Sequence, residues 1–418
     1  MHDLRDTIND AVTGVAPRHY DRRWFLSTAL AAAAGWGVPN LTWGRTPPPP
    51  ASDKRVAAIV TAYHRYSHAD NIVTRFIEGY SIAGKSYPPP CRVAALYIDQ
   101  TLDTDIGRPL AKHWDVPVVD TIEEALTLGG DKLAVDGVLL VAEQGEYPTN
   151  EQGQKLYPRR EFFEKVVNVF RASGRAVPVF CDKHLSYSWD NARWMYDQSR
   201  ELEFPMMAGS SVPVAYRHPD LQPRTGIEWE RALAVGHGHF EIYGFHTLEA
   251  LQVMTERRLH GETGVRAVQC LEGAEAWDAV KSGACDRALL DAAIATIPVK
   301  GTGPIEEADA EAIVYLIEYL DGLKAAAYMS PKQVHEFAFA GQEKGQAAPA
   351  ACWYELTKPQ RDHFSYLMQG AAEMMLTGKP RTPVERTLLT TGMLAALMES
   401  RANGHKRIET PHLQVTYA

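Results

Sequence analysis

Cysteine is scarce in this chain of 418 residues: its five cysteines lie far apart and form no C-x-x-C pair. That spacing excludes a disulfide framework and a cysteine zinc site, so we expect buried thiols with at most one disulfide. Basic residues are also outnumbered, because 43 lysines and arginines face 52 acidic residues, and the formal net charge is −9. This balance gives no sign of a nucleic-acid partner or of an acidic membrane surface as a target. Beyond the N-terminal segment, no apolar run is long enough to span a bilayer.

The first 45 residues have the pattern of a targeting segment. Arg22 and Arg23 precede a short, alanine-rich apolar stretch over residues 25–38, which is typical of a twin-arginine export signal. We therefore predict a signal peptide over residues 1–45 and a proline-rich linker over residues 46–54. The expected partner is the twin-arginine (Tat) export machinery, and the expected location is the periplasm or the exterior.

Strand and helix patterns alternate over residues 55–209. Four continuous apolar runs are typical of strands that are buried on both faces. A helical pattern over residues 121–126 begins at a threonine suited to cap it. This alternation predicts an α/β fold with a doubly wound, parallel, Rossmann-like sheet. The four runs are residues 56–60, 93–98, 135–141 and 177–181.

The pattern changes after residue 209. Shorter strand-like runs separated by helices predict an α+β domain with a mostly antiparallel sheet over residues 210–362. Two long helical patterns end the chain, and we expect residues 363–418 to pack back on the first domain. The predicted strands are residues 211–216, 231–235, 265–270, 312–316, 323–329 and 334–340, and the predicted helices are residues 247–259, 275–282, 363–376 and 383–400.

Glycine is missing where a Rossmann-like sheet would use it to bind a dinucleotide. Residues 61–68 (TAYHRYSH) follow the first predicted strand and contain none. A phosphate-binding loop needs glycines so that the backbone can approach the pyrophosphate. NAD or NADP therefore stays an open cofactor hypothesis. Its candidate binding residues are Tyr63, His64, His68, Asp99 and Glu143.

Polar side chains follow several of the predicted parallel strands. Because ligands on such sheets bind at the carboxyl ends of the strands, these residues form the candidate site. Lys183 and His184 follow the predicted strand of residues 177–181 and belong to this candidate site. Tyr147, His184 and Tyr243 are the candidate substrate-binding residues.

Residues 234–251 (AVGHGHFEIYGFHTLEAL) hold three histidines and a carboxylate in a short span. His237, His239 and Glu241 alternate, so on a strand all three side chains would project from one face. His246 follows in a turn that leads into a helix. Imidazole and carboxylate groups carry protons and bind metals, which predicts proton transfer by Glu241 and His246 or a divalent metal on His237 and His239. A solvated strand face is the alternative.

The C-terminal region resembles a known family. Residues 378–386 (GKPRTPVER), 388–392 (LLTTG) and 408–411 (IETP) are similar to the ending of Gfo/Idh/MocA-type oxidoreductases, which include glucose–fructose oxidoreductase and inositol dehydrogenase. The resemblance covers about residues 55–418 and implies a Rossmann-like domain, an α+β domain and terminal helices. It also implies a nicotinamide dinucleotide and a homo-oligomer built on the second sheet.

The resemblance assigns acid–base residues position by position. The family's catalytic lysine matches Lys183, whose flanking residues are altered, and its catalytic histidine matches His246, with Glu249 in place of the usual aspartate. The family's catalytic aspartate would fall at Ile242, next to Glu241. In such an enzyme Lys183 and His246 would hold and deprotonate a sugar hydroxyl while hydride passes to the nicotinamide.

Three functions stay open from the sequence. The first is an exported oxidoreductase-like enzyme that acts on a sugar, polyol or glycoside in the groove between the domains. The second is a redox-neutral lyase, hydratase or epimerase on the same scaffold, in which the rebuilt first loop and the histidine cluster transfer protons. The third is a non-catalytic protein that binds carbohydrate. A small carbohydrate is the expected ligand in all three.

Overall fold

A six-stranded parallel sheet forms the first layer of the structure. The computed structural model describes residues 49–358 and 361–417, so the predicted signal peptide lies outside the described residues. β1 and β6 are almost entirely apolar and buried, because helices cover both faces of the sheet, as the sequence predicts. The strands of this part of the chain are β1 (Arg55–Val60), the hairpin β2 (Tyr80–Ile82) and β3 (Lys85–Tyr87), β4 (Arg92–Ile98), β5 (Val118–Val119), β6 (Gly137–Val141), β7 (Val179–Asp182) and β8 (Met206–Gly209).

The sheet has the order β5-β4-β1-β6-β7-β8, and every pair in it is parallel. The order reverses between β1 and β6, so their carboxyl ends meet at the point where open α/β sheets bind ligands. The Thr121 side chain accepts the N–H of Glu124, which caps a helix at the predicted place. The helices that connect these strands are α1 (His68–Glu78), α2 (Gly107–His113), α3 (Ile122–Thr127), α4 (Arg159–Ser173) and α5 (Trp189–Glu201).

The second sheet has eight strands in the order β16-β11-β12-β13-β10-β14-β15-β9. Only the β10–β13 pair is parallel, which confirms a mostly antiparallel sheet. The predicted strand over residues 211–216 is wrong, because Val212–Val214 forms a 3-10 turn around Pro213. The strands are β9 (Tyr216–His218), β10 (Trp229–His237), β11 (Val265–Glu272), β12 (Ile313–Tyr319), β13 (Lys324–Ser330), β14 (Phe337–Glu343), β15 (Ala350–Glu355), which the sequence analysis missed, and β16 (Ile408–Glu409).

Helices cover both faces of the second sheet. One face packs with the helices α6 (Ile242–Thr255) and α11 (Val384–Ala402). On the other face Leu233 and Val235 of β10 pack with Leu289 and Leu290 in one buried apolar cluster. The remaining helices are α7 (Ala274–Ser282), α8 (Arg287–Thr296), α9 (Ile305–Ala308) and α10 (Asp362–Thr377).

One apolar core runs from the first sheet through the second sheet to the terminal helix. Ala57 of β1, Ala234 of β10 and Leu389 of α11 belong to the same buried cluster. The five cysteines are buried and unpaired, as predicted. No helix among the described residues is long and apolar enough to cross a membrane.

Candidate functional site

Lys183 occupies a tight turn directly after β7. Its φ of 63° lies in the left-handed region, which is costly for a residue with a side chain and marks a constrained position. The backbone N–H donates to the carbonyl of Gly209, at 3.1 Å, which fixes the turn to the end of β8. The side chain is 1% exposed, and its Nζ lies 3.2 Å from Glu143 Oε1 and donates to the carbonyl of Ile242 at 3.2 Å. The buried ammonium is therefore held by β6 on one side and by α6 on the other.

Glu143 is shared by two buried cations. Its second carboxylate oxygen forms an ion pair with the Arg159 guanidinium, which enters from the first turn of α4. Burial alone would raise the pKa of Glu143, but the charges of Lys183 and Arg159 outweigh it and lower that pKa. Glu143 is therefore the anionic counter-ion of the Lys183 turn.

Glu241 is a buried carboxylate of a different kind. It stands at the start of α6 and is 1% exposed, and neither of its oxygens accepts a well-formed hydrogen bond from the described residues, although the backbone N–H of Lys155 is near enough to lower its pKa. Burial raises its pKa to about 7, although Arg159 acts in the opposite direction. His184 Nε2 lies 3.7 Å away, and burial, with Arg159 and Lys183, lowers the pKa of that imidazole well below its usual range. Glu241 can therefore hold or release a proton near neutral pH.

His246 projects from α6 and is only partly exposed. Its Nδ1 lies 2.6 Å from Ser210 Oγ, and the same oxygen accepts the N–H of Val212 at 3.0 Å. His246 Nδ1 is the one acceptor within reach of the Ser210 hydroxyl among the described residues, so we assign the hydroxyl as donor to Nδ1, which places the ring hydrogen on Nε2. Burial and the neighbouring Lys183 lower the pKa of His246 well below its usual range, so the ring is neutral.

The C-terminal segment LLTTG (residues 388–392) contacts both the helix that carries His246 and the chain just beyond the Lys183 turn. Thr390 Oγ1 donates to Glu249 Oε1 at 2.7 Å, which fixes the helix that carries His246. Thr391 Oγ1 accepts the N–H of Leu185 at 3.2 Å, two residues beyond the Lys183 turn. The LLTTG segment therefore acts as a structural brace between α6 and the first sheet.

The loop between β1 and α1 (residues 61–67) is packed with its own side chains. Tyr63 is buried, its hydroxyl lies 2.7 Å from Thr74 Oγ1, and its ring packs on Gly107. Even a Cβ at Gly107 would come within 2.6 Å of that ring, so only glycine fits there. The Tyr63 ring therefore anchors the loop to α1 and α2, and its role toward a cofactor stays a prediction. His64 also points elsewhere, with Nδ1 3.2 Å from the carbonyl of Arg65.

The N-terminus of α1 is capped by protein groups. Ser67 Oγ accepts the N–H of Asp70 at 3.1 Å, and Gln144 Oε1 accepts the N–H of His68 at 2.8 Å. Asp70 Oδ2 accepts the N–H of Tyr66 at 2.7 Å and adds a negative charge at this end of the helix. A helix N-terminus binds a phosphate with the N–H groups of its first turn, and here those of His68 and Asp70 are already paired.

Asp99 is also paired within the chain. Its two carboxylate oxygens accept the hydroxyls of Tyr97 at 2.8 Å and Tyr147 at 2.6 Å. The Tyr147 ring meets Tyr157 edge-on at 5.5 Å. Both predicted ligand-binding residues, Asp99 and Tyr147, are thus partners of each other.

His68, in contrast, reaches the Lys183–His246 region. Its Nδ1 lies 2.7 Å from Asp182 Oδ2, an ion-pair separation whose angle is poor for a hydrogen bond. The His68 ring is nearly parallel to that of His246, with centroids 6.4 Å apart, and meets Phe364 edge-on at 5.4 Å. The rebuilt first loop therefore brings an imidazole to the side of His246.

The proposed strand face of three polar side chains is wrong. β10 ends at His237, and the chain turns at Gly238, whose φ is 78°. His237 packs on Tyr243 at 4.9 Å, while His239 Nδ1 accepts the N–H of Glu241 at 3.3 Å. Burial lowers the pKa of His237 to about 4. Within residues 49–358 and 361–417, no group of three histidine, cysteine or acidic side chains is placed to hold a metal ion.

Tyr243 lies at the open edge of the site. It is 38% exposed, and its ring centroid is 6.0 Å from that of His246. The sequence analysis missed Arg159 and Ser210, which orient the residues it had singled out. Nothing in a helix pattern distinguishes buried Arg159 from its neighbour Arg160, because only packing against Glu143 decides between them.

A separate cavity of about 770 Å³ lies near the start of α5. Lys183 and His246 do not line it, so the chemistry of the site does not depend on it. Its lining mixes polar and apolar surface and consists of Asn150, Glu151, Gln152, Gln154, Tyr187, Ser188, Trp189, Asp190, Ala395, Ala396, Glu399 and His412.

No protein-family model matches this chain, and no curated protein matches it either. Solved structures share its fold. GenD2 from gentamicin A biosynthesis, in complex with NAD, is 16% identical, with 88% of this chain and 99% of that chain covered and a TM-score of 0.54. A putative myo-inositol dehydrogenase from Sinorhizobium meliloti 1021 is 13% identical, with coverages of 85% and 99% and a TM-score of 0.52. Myo-inositol dehydrogenase from Lactobacillus casei, in complex with NAD(H) and myo-inositol, is 10% identical, with coverages of 86% and 97% and a TM-score of 0.52.

At these identities the likeness shows the fold. A Rossmann-like sheet followed by a mostly antiparallel second sheet is the architecture of these dehydrogenase structures, as the Gfo/Idh/MocA resemblance implied. The chemistry has to be argued from the site itself.

Proposed function

We propose that this chain is an enzyme that acts on a sugar or polyol by acid–base chemistry, with Lys183 and His246 as its central residues. The observation that carries the proposal is the convergence of a buried ammonium and a neutral, partly exposed imidazole, each held by its own partner, Glu143 or Ser210. The L. casei enzyme of the same fold binds myo-inositol, which supports a polyol or sugar as the ligand class.

The residues divide the chemistry among them. Lys183 supplies positive charge toward an oxygen that becomes anionic during the reaction. His246 offers its Nε2–H to a substrate oxygen, because Ser210 occupies the other ring nitrogen. Glu241, with a pKa of about 7, is suited to exchange a proton with a substrate that reaches it.

Nicotinamide-dependent oxidation is the second candidate, and the NAD-bound structures of the same fold favour it. The residues at the N-terminus of α1 do not fit a pyrophosphate as they stand. The His68 N–H is bonded to Gln144, the Asp70 carboxylate adds negative charge, and Asp99 is bonded to two tyrosine hydroxyls. We therefore derive no step through a dinucleotide.

The test follows turnover of myo-inositol and common hexoses by proton NMR, with and without added NAD. We expect turnover by the wild-type chain, a loss of about 100-fold or more in Lys183→Met and His246→Gln, and no loss in the control Lys165→Met, an exposed residue on α4. Circular dichroism checks that each variant is folded. Turnover that survives in both site variants would contradict the proposal. Sugar binding without turnover would favour a carbohydrate-binding protein instead.

We also propose export through the twin-arginine machinery, which rests on the sequence of residues 1–45. In a host with that pathway, the chain should reach the periplasm, and an Arg22→Lys, Arg23→Lys double variant should stay in the cytoplasm. Equal export of both forms, measured by cell fractionation, would contradict it.

We also propose, from the family resemblance, that the chain forms a homo-oligomer, although not through the open sheet face that the resemblance implies. Helices α7 and α8 cover the face of the second sheet that does not pack on α6 and α11. Any oligomer of this chain therefore needs another surface, and sedimentation velocity of the exported form measures whether one exists. A single species of monomer mass would contradict the oligomer.

A further inference from the structure

We propose that His68 is the base of this enzyme and that its reaction is a redox-neutral proton transfer on the carbonyl form of a sugar. The inference rests on the proposed function, because it places a second imidazole beside His246 in the same site. It assigns to the first loop a role in chemistry in place of cofactor binding.

The position of His68 is built by the loop that lacks glycine. Ser67 caps α1, and Gln144 accepts the His68 backbone N–H at 2.8 Å, so the first residue of the helix is fixed. The imidazole is directed at the carboxyl end of β7, where Asp182 is 1% exposed. Phe364 of α10 supports the ring edge-on at 5.4 Å.

His68 and His246 carry their ring hydrogens on different nitrogen atoms. His68 Nδ1 and Asp182 Oδ2 lie 2.7 Å apart, and although the angle is poor for a hydrogen bond, a carboxylate that close attracts an N–H and repels a lone pair, so we place a hydrogen on Nδ1. A neutral His68 therefore has a free lone pair on Nε2. In His246 the Ser210 hydroxyl occupies Nδ1, which leaves the hydrogen on Nε2. One ring is thus a proton acceptor and the other a hydrogen-bond donor.

The arrangement of the two rings matches proton abstraction next to a carbonyl group. Their centroids are 6.4 Å apart with an interplanar angle of 17°, and both side chains are partly exposed. Both Nε2 atoms are therefore available to a substrate, and the site is open at Tyr243.

The reaction balances without an oxidant. His68 Nε2 takes the proton from the carbon beside the carbonyl, the electron pair of that C–H bond forms a carbon–carbon double bond, and the π pair of the carbonyl moves onto its oxygen. The Nε2–H of His246 stabilises the resulting enediolate, as a neutral imidazole can. Return of the proton to the neighbouring carbon, with exchange of the hydroxyl proton between the two oxygens, gives the isomeric sugar and restores His68.

The experiment incubates the chain, purified without dinucleotide, with D-glucose, D-fructose and D-xylose in D₂O. Proton NMR follows the loss of the C–H signal beside the carbonyl. We expect exchange by the wild type, a loss of about 100-fold or more in His68→Gln, and none in the control His113→Gln, at the far end of α2.

Two further results distinguish a failure of the inference about His68 from a failure of the proposed function. Exchange that persists in His68→Gln overturns the inference, as does turnover that requires added NAD and ignores His68, although the proposed function survives both. Absence of any reaction or binding with these sugars contradicts the proposed function as well. Long-range ¹H–¹⁵N NMR of the wild type tests the geometry without a variant: His68 should carry hydrogen on Nδ1 and His246 on Nε2, and the reverse would overturn the inference.

Discussion

Glutamine in place of Glu241 should stabilise the folded chain in a pH-dependent way. The wild-type carboxylate is buried without a well-formed hydrogen bond from the described residues, so ionising it in the folded state is costly. Glutamine has nearly the same shape and cannot ionise. The variant therefore removes the charge while it keeps the packing at the start of α6.

The magnitude follows from the two states of the carboxyl group. Its pKa is about 7 in the folded chain against 4.5 for the ordinary group. At about 1.4 kcal/mol per pH unit, this difference corresponds to about 3 kcal/mol. Because the folded pKa of Glu241 is the higher one, the folded state keeps its proton longer, and stability falls as pH rises from about 4.5 to about 7. The stability gained by Glu241→Gln should therefore grow between pH 5 and pH 8 and then level off.

Urea unfolding of wild type and variant at pH 5 and pH 8 measures this difference. Subtraction of the two curves removes the other titrating groups, and Glu161→Gln, an exposed change on α4, is the control that should show no trend. A gain that is the same at both pH values, or a loss at pH 8, would refute the claim that this carboxylate is buried and uncompensated.

Three further changes test the packing and the site. Gly107→Ala should lower the free energy of unfolding by about 1–3 kcal/mol, because its Cβ would meet the Tyr63 ring at 2.6 Å, and urea unfolding measures it. Arg386→Leu should cost about 3–5 kcal/mol in the same assay, because the Glu256 carboxylate, now bonded to Arg386 Nε at 2.7 Å, would stay buried without a cation and with the Tyr417 hydroxyl as its remaining partner. EDTA should leave the unfolding midpoint unchanged, since His237 packs on Tyr243, and a clear drop would point to a bound metal.

The parallel sheet is the part of the fold that the sequence predicts best. Strands such as β1 and β6 are apolar at almost every position, and only burial on both faces explains such runs. The predicted strand over residues 211–216 failed because Pro213 favours a turn that the apolar pattern conceals. In β15 apolar and partly exposed residues are mixed, so no strong pattern marks that strand.

The sequence predicts which residues lie at the ligand-binding edge of the sheet, but it does not predict which of their side chains contact each other. The rule that ligands meet the carboxyl ends of parallel strands led to Lys183 and Glu143, which do lie 3.2 Å apart. The same rule cannot tell that His68 faces Asp182, because that depends on how one loop caps its helix. The alternation of His237 and His239 suggested a strand, but the left-handed Gly238 ends it.

The measurement that tests the central claim most directly is native mass spectrometry of the exported chain, before and after incubation with excess NAD. Because the N–H groups of His68 and Asp70 at the start of α1 and the oxygens of Asp99 are already bonded within the chain, we expect the mass of the polypeptide alone in both samples. A mass excess equal to a nicotinamide dinucleotide would contradict a cofactor-independent proton-transfer site and would make nicotinamide-dependent oxidation the better account of this fold.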